Sequence, residues 1–240
     1  MFYKILRKLL FSPVLILILA AFTSCDTGSD MLLTDDAIGA VEAAESGNTA
    51  SAPGLVTDLS DDEVAGLLYM REEEKLARDV YLTLYDRWAV NAFQNISESE
   101  QNHTNAVKTL LDYYGLEDPV ADNGIGVFDN STLQDLYDKL IAEGIQSLSG
   151  ALRVGAAIEE IDILDLQGHI AQTDKADIQR VYENLMRGSR NHLRAFVSTL
   201  ERQTGEIYQP QYLSQEAYDS IINATLESGG SGGRRNRGGR

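Results

Sequence analysis

Glu100-Gln101-Asn102-His103 places a carboxylate and an imidazole three residues apart in a segment whose apolar positions recur at helical spacing. At 3.6 residues per turn this spacing stacks both side chains on one face, one turn apart, where they can address a single metal ion. Three other segments put ligand-type residues where a core-facing position should be apolar: Glu74, the pair Glu159 and Asp162, and His192. A carboxylate on the buried side of a helix needs a partner. The expectation is therefore an all-α fold in which four helices converge on one polar centre.

The helices can be bounded from caps and periodicity. Ser60-Asp61-Asp62-Glu63 reads as a capping box that starts a first helix running to about Trp88, with Val64, Leu67, Leu68, Leu76, Val80, Leu84 and Trp88 as its apolar stripe. Met70, Ala77 and Tyr81 widen that stripe on the side that carries Glu74. A second helix is expected to begin after Asn95 or Ser97 and to stop at Gly115, which suits a left-handed cap. Residues 116–130, with Pro119, Gly124 and Gly126, read as loop, followed by a short helix over 133–142 capped by Asn130 or Ser131. That connection is too long for a hairpin and suits a crossover running the length of a bundle. A third long helix spans about 148–171, where Ala151, Gly155, Ala156 and Ala157 permit close approach, and a fourth runs from Thr173 or Asp174 to Thr204. A small helix over 215–224 follows a loop with Pro210. Residues 60–227 are the folded domain.

The flanks are of another kind. Residues 1–25 have a basic start (Lys4, Arg7, Lys8), an apolar run from Pro13 to Phe22 and the small residues Thr23-Ser24 before Cys25, the single cysteine of the chain. This is an export signal that resembles a bacterial lipobox, so lipidation at Cys25 and a membrane-anchored lipoprotein of the cell envelope are expected. Residues 26–59, rich in Ala, Gly, Ser, Thr and Asp, read as a flexible spacer, and residues 228–240 as a solvated Gly/Arg tail. With one cysteine, neither an internal disulfide nor a cysteine-based metal site can form, so any metal must be held by histidines and carboxylates. No later apolar run approaches the ~20 residues of a spanning helix. The formal charge of −17 arises wholly between leader and tail, both of which carry only basic residues. Such a surface repels nucleic acid and attracts cations.

The constellation of Glu74, Glu100, His103, Glu159, Asp162 and His192 offers four carboxylates and two imidazoles, enough charge for two divalent cations and a donor set suited to iron or manganese. Each residue alone also has an ordinary explanation. Helical glutamates are usually solvated, as Glu72, Glu73 and Glu160 are expected to be, and a single core histidine is more often hydrogen-bonded than ligating. Arg190 and Arg194 are expected to pair with acids near His192, and His169 to lie at the bundle end.

Glu74-Lys75-Leu76-Ala77-Arg78-Asp79-Val80-Tyr81 resembles the first-helix signature of ferritin-like proteins of the rubrerythrin type, and Glu100 and His103 match the Glu-x-x-His of their second helix. Ala156-Ala157-Ile158-Glu159-Glu160-Ile161-Asp162 is similar to the third-helix segment, and Arg190-Asn191-His192-Leu193-Arg194-Ala195-Phe196 to the fourth. The likeness spans 60–204 and is closest to a ferritin-like family of bacteria and archaea with no assigned function. It implies a ferritin-like four-helix bundle with a long crossover, two iron ions (manganese as the alternative) and Tyr81 as a hydrogen-bond donor beside the metals. Ser189 departs from the pattern, standing where the fourth helix usually carries a glutamate. The implied activity is oxidation of ferrous iron or reduction of peroxide or dioxygen, with electrons from an external donor, since no Cys-x-x-Cys unit accompanies the domain; a homodimer follows by analogy. The competing readings are a non-enzymatic lipoprotein module that binds metal structurally or an envelope partner, and, more weakly, an iron-storage cage.

Overall fold

The computed structural model describes residues 59–227. The expected signal with Cys25, the spacer up to Asp58 and the Gly/Arg tail lie outside the described residues. Within them the chain forms six α-helices and no strand: α1 (Asp61–Trp88), α2 (Asn91–Tyr114), α3 (Ser131–Gly144), α4 (Leu148–Ile170), α5 (Ala176–Thr204) and α6 (Gln215–Asn223). None of them is long and apolar enough to cross a membrane.

Local chemistry sets the helix ends. The Ser60 hydroxyl accepts from the Glu63 amide at 3.2 Å while the Ser60 amide donates to the Glu63 carboxylate at 2.8 Å, a reciprocal cap worth about 1 kcal/mol. The Asn130 side chain accepts from the Thr132 and Leu133 amides to start α3, and Ser147 and Ser214 cap α4 and α6. Gly115 and Gly205, both left-handed, close α2 and α5. One boundary differs from expectation: α2 begins at Asn91, a turn before Asn95, with no side-chain cap at Val90. Phe93 and Ile96 are fully buried in that extra turn, and burial of two large apolar side chains, roughly 2 kcal/mol each, outweighs the missing cap. Only Ala89 and Val90 then link α1 to α2, and Ala89 adopts the left-handed region (φ 52°) to turn the chain.

The four long helices pack as two pairs, α1 with α2 and α4 with α5, joined through α1 against α4 and α2 against α5. Their directions follow from contacts at the ends. Gly66 near the start of α1 faces His169 near the end of α4, and Tyr114 at the end of α2 donates to Asp177 at the start of α5 at 2.7 Å. Helices α2 and α4 therefore run the same way, and the chain between them must return from one end to the other. α3 lies on this return, against α1 and α4, and the Trp88 indole donates to the Gly144 carbonyl at 2.9 Å at the far end. Close approach of α4 and α5 depends on Gly155, where a Cβ would stand 2.7 Å from the Phe196 ring.

Two of the glutamates expected in solvent are buried here. Glu72 accepts the amides of Asp129 and Asn130, tying the loop before α3 to α1. Glu160 accepts the amides of Gln211, Tyr212 and Leu213, tying down the segment between α5 and α6. Each carboxylate satisfies backbone donors of a segment with no helix of its own, which repays its desolvation. Arg190 and Arg194 both pair with Glu227, at 2.5 and 2.9 Å, so they hold the C-terminal segment against α5.

Candidate metal centre

Each long helix turns one polar stripe inward at the same depth. α1 brings Glu74, α2 brings Glu100 and His103, α4 brings Glu159 and Asp162, and α5 brings His192 and Ser189. All are buried, and none of the six candidate ligands exceeds 6% exposure. The centre is closed on one side by Tyr81, Phe93 and Phe196, whose rings lie 5.0 to 6.3 Å apart, and on the other by Leu67, Met70, Val107, Leu111 and Leu185. Apolar walls exclude water from the ligand set and strengthen every charge interaction inside it.

Glu100 lies between the two imidazoles. Its Oε2 is 2.8 Å from His103 Nδ1 and its Oε1 is 2.9 Å from His192 Nδ1. Glu74 Oε2 stands 3.3 Å from the same nitrogen of His103, and Glu159 Oε2 stands 3.5 Å from that of His192. The result is two half-sites, Glu74/Glu100/His103 and Glu159/Glu100/His192, sharing one carboxylate. The imidazole rings stack with centroids 5.4 Å apart, and Glu100, His103 and His192 each present a ligand atom within 4.8 Å of the others.

Neighbouring groups aim these donors. His192 Nε2 lies 2.9 Å from the Ser99 hydroxyl; in the tautomer in which Nε2–H donates to it, Nδ1 keeps its lone pair for the carboxylate side. Tyr81 donates to Glu159 Oε1 at 2.5 Å. Asp162 accepts from the Ser189 hydroxyl, so the serine at the departed position touches the centre through an acid rather than filling a ligand position itself.

Crowding four carboxylates and two imidazoles into one buried site shifts their titration. Burial pushes Glu74 up to about 8 even though His103 pulls against it. Burial and the neighbouring Glu100 push Glu159 up to about 7, and burial with Glu74 and Glu159 carries Asp162 well above the usual carboxylate range. Glu100 alone goes the other way: burial works to raise it, but His103 and His192 outweigh that and hold it well below. His192, which burial would lower, is carried up to about 10 by Glu100 and Glu159. Glu74 Oε1 and Asp162 Oδ1 are buried with no hydrogen-bond partner, and Glu100 Oε1 faces His192 Nδ1 without hydrogen-bond alignment. Orphaned carboxylate oxygens among apolar walls are unfavourable for protein alone. They are the arrangement that divalent cations satisfy, and the oxygen and imidazole donors fit iron or manganese.

Glu73 is not solvated. It is buried and hydrogen-bonded to Asp165, and burial together with Asp165 and Asp162 raises it well above the carboxylate range. Tyr69 donates to Asp165 Oδ2 at 3.4 Å. This group, one turn from the centre, and Ser99 were not foreseen, although Asp165 repeats the three-residue step from Glu159 to Asp162.

Compared with known proteins, residues 63–225 match a family described as an uncharacterized protein domain (DUF2202). The uncharacterized protein MJ0754 of Methanocaldococcus jannaschii is 54% identical over 171 residues, covering 71% of this chain and 92% of that protein. The crystal structure of hypothetical protein MJ0754 superposes with a TM-score of 0.69 at 53% identity, covering 74% of this chain and all of that one. Neither description carries an activity or a ferritin-like assignment.

Proposed function

This chain belongs to the DUF2202 domain family, and from that premise we propose that it is a ferritin-like di-metal carboxylate protein that oxidises ferrous iron or reduces peroxide or dioxygen. The observation that carries the reading is Glu100, each of whose oxygens faces a different imidazole while Glu74 and Glu159 flank the outer sides. Four long helices with α2 and α4 parallel support a ferritin-like plan in which the return segment is the crossover. The proposal extends to an envelope lipoprotein anchored through Cys25, with an external electron donor.

In this reading Glu74 and His103 would hold one metal and Glu159 and His192 the other, with one oxygen of Glu100 available to each. Asp162, poised by Ser189, completes the negative charge. Iron held there would supply the reducing electrons, one from each of two ferrous ions, that with two protons convert one hydrogen peroxide to two waters. The chain's own part is geometric and electrostatic. The Ser99 hydroxyl orients the His192 ring through Nε2, Tyr81 holds Glu159 in place by its hydrogen bond, and the apolar walls keep bulk water out.

The test is to load the metal-free full chain with ferrous iron under anaerobic conditions and titrate it with hydrogen peroxide. Tight binding of about two irons per chain, oxidised by about one equivalent of peroxide, is the expected result. Failure to bind iron or manganese tightly overturns the reading. Tight binding without redox turnover would favour the second reading, a module that keeps its metal for structure. The observation on its side is Ser189, a hydroxyl where the related pattern has a carboxylate.

A further inference from the structure

His169 and Tyr182 take no part in the centre, yet both are buried at the end of the molecule where α1 and α5 begin and α4 ends. With Glu63, Gly66 and Thr173 they line a cavity of about 10 Å³, room for one water-sized molecule. A few polar groups are set into walls that are mostly apolar. The Thr173 hydroxyl donates to Glu63 Oε1 at 2.6 Å, and the His169 ring lies 6.0 Å from Tyr182 and 6.1 Å from Tyr69. The Tyr182 hydroxyl is buried with no hydrogen-bond partner. Burial and the charges of Glu74, Glu73 and Glu63 raise its pKa, so it remains a donor. Gly66 makes the space, because a Cβ there would stand 2.7 Å from His169 Nδ1.

The cavity is connected to the centre by polar groups. On α4, Asp162, Asp165 and His169 occupy positions one turn apart on one face. Asp162 belongs to the centre, Asp165 bonds Glu73 and Tyr69, and Tyr69 packs against His169. This file runs past Leu67, Met70, Leu166 and Leu185, a layer that is otherwise apolar. Buried acids in such a layer cost stability, and a helix pair could close more favourably without them.

We propose that the cavity bounded by His169 and Tyr182 is a port to the metal centre, holding one uncharged, water-sized, hydrogen-bonding molecule, of which hydrogen peroxide is the reactive member. The size of the cavity excludes larger oxidants, and Asp62 and Glu63 in its lining disfavour anions. Passage then follows Tyr69, Asp165 and Glu73 toward Asp162 and Glu74. The port rests on the di-metal reading above.

Two measurements test it on the full chain. A high-resolution crystal structure of the metal-free protein should show an ordered molecule within hydrogen-bond distance of the Tyr182 hydroxyl, absent from Tyr182→Phe. In stopped-flow mixing of the ferrous-loaded protein with hydrogen peroxide, Tyr182→Phe and Gly66→Ala should react about tenfold more slowly with unchanged iron content and helicity. A dry cavity, or peroxide rates in both variants equal to wild type, overturns the port. Should Gly66→Ala fail to fold, Tyr182→Phe decides the kinetic arm. A wild-type protein that binds no iron or ignores peroxide sinks the di-metal reading and the port with it, whereas wild-type turnover with a dry cavity or unaffected variants sinks the port alone.

Discussion

Glu100 is the residue on which both halves of the centre depend, because its two oxygens face different imidazoles 2.8 and 2.9 Å away. Loss of its charge should therefore act differently from loss of either histidine. Glu100→Gln should abolish binding of both metals, whereas His103→Ala or His192→Ala should each leave about one metal per chain; metal analysis after gel filtration reads the stoichiometry. Equal loss in all three variants would mean that the half-sites do not exist separately. Adjacent glutamates also divide here. Glu74 faces His103 at 3.3 Å, and Glu73 turns about 100° around the helix to Asp165. The step from Glu74 to Ala77 and Tyr81 pointed to the first of these from sequence. No local spacing revealed that its neighbour was buried as well, since that burial comes from α4, nearly a hundred residues away.

At the scale of elements, α1 has two buried faces. One faces the centre. The other carries Arg71, Glu72, Lys75 and Asp79 beneath the segment between α2 and α3. The Lys75 ammonium, fully buried, donates to Asp79 at 2.5 Å and to the carbonyls of Gly124 and Val127 at 2.8 and 3.1 Å, and lies 4.3 Å from the centroid of the Phe128 ring. Arg71 reaches Asp118 at 2.9 Å and the Thr104 carbonyl at 3.0 Å. Lys75→Met should remove about 3 kcal/mol of stability, because Asp79 and two carbonyls lose a buried cation at once. Urea unfolding of the metal-free protein measures it, and a loss below about 1 kcal/mol would show the pair to be replaceable by packing. These contacts were not legible in the charged run 71–75, which has the composition of a solvated helix face. The start of α2 was misplaced for a related reason: burial of Phe93 and Ile96 drives an extra turn that no capping residue announces.

For the whole molecule, the balance of buried charge should make stability depend on pH, and the proposed metals should alter that dependence. Glu74 and Glu159, raised to about 8 and about 7, hold protons in the folded state that the unfolded chain releases near 4.5. Their contribution is fully present below about pH 4.5 and is lost as pH rises through 7 and 8. His192, raised from 6.5 to about 10, contributes in the same sense, fully below 6.5 and lost toward pH 10. Glu227, lowered to about 2 chiefly by its hydrogen bonds to Arg190 and Arg194, acts oppositely, and its contribution disappears as pH falls from 4.5 toward 2. The metal-free protein should therefore be most stable near pH 5, with a melting temperature lower by on the order of 10 °C at pH 9. Saturating ferrous or manganous ion should remove or reverse that slope, since the cations replace the protons. Calorimetry of the two forms from pH 5 to 9 checks this, and a metal-free protein equally stable across the range would show that the buried acids do not exchange protons on unfolding.

Helix number, most helix ends and the inward-facing ligand types could be read from the sequence, because caps, glycines and apolar periodicity act within a few residues and carry their own physics. Glu100 and His103 share a helix face whatever surrounds them. What only the tertiary structure decided is which acids meet across helices. Glu73 with Asp165, Glu72 and Glu160 with backbone amides of distant segments, and Glu100 between two histidines from different helices all depend on desolvation, and desolvation is conferred by whatever the rest of the chain lays over a residue.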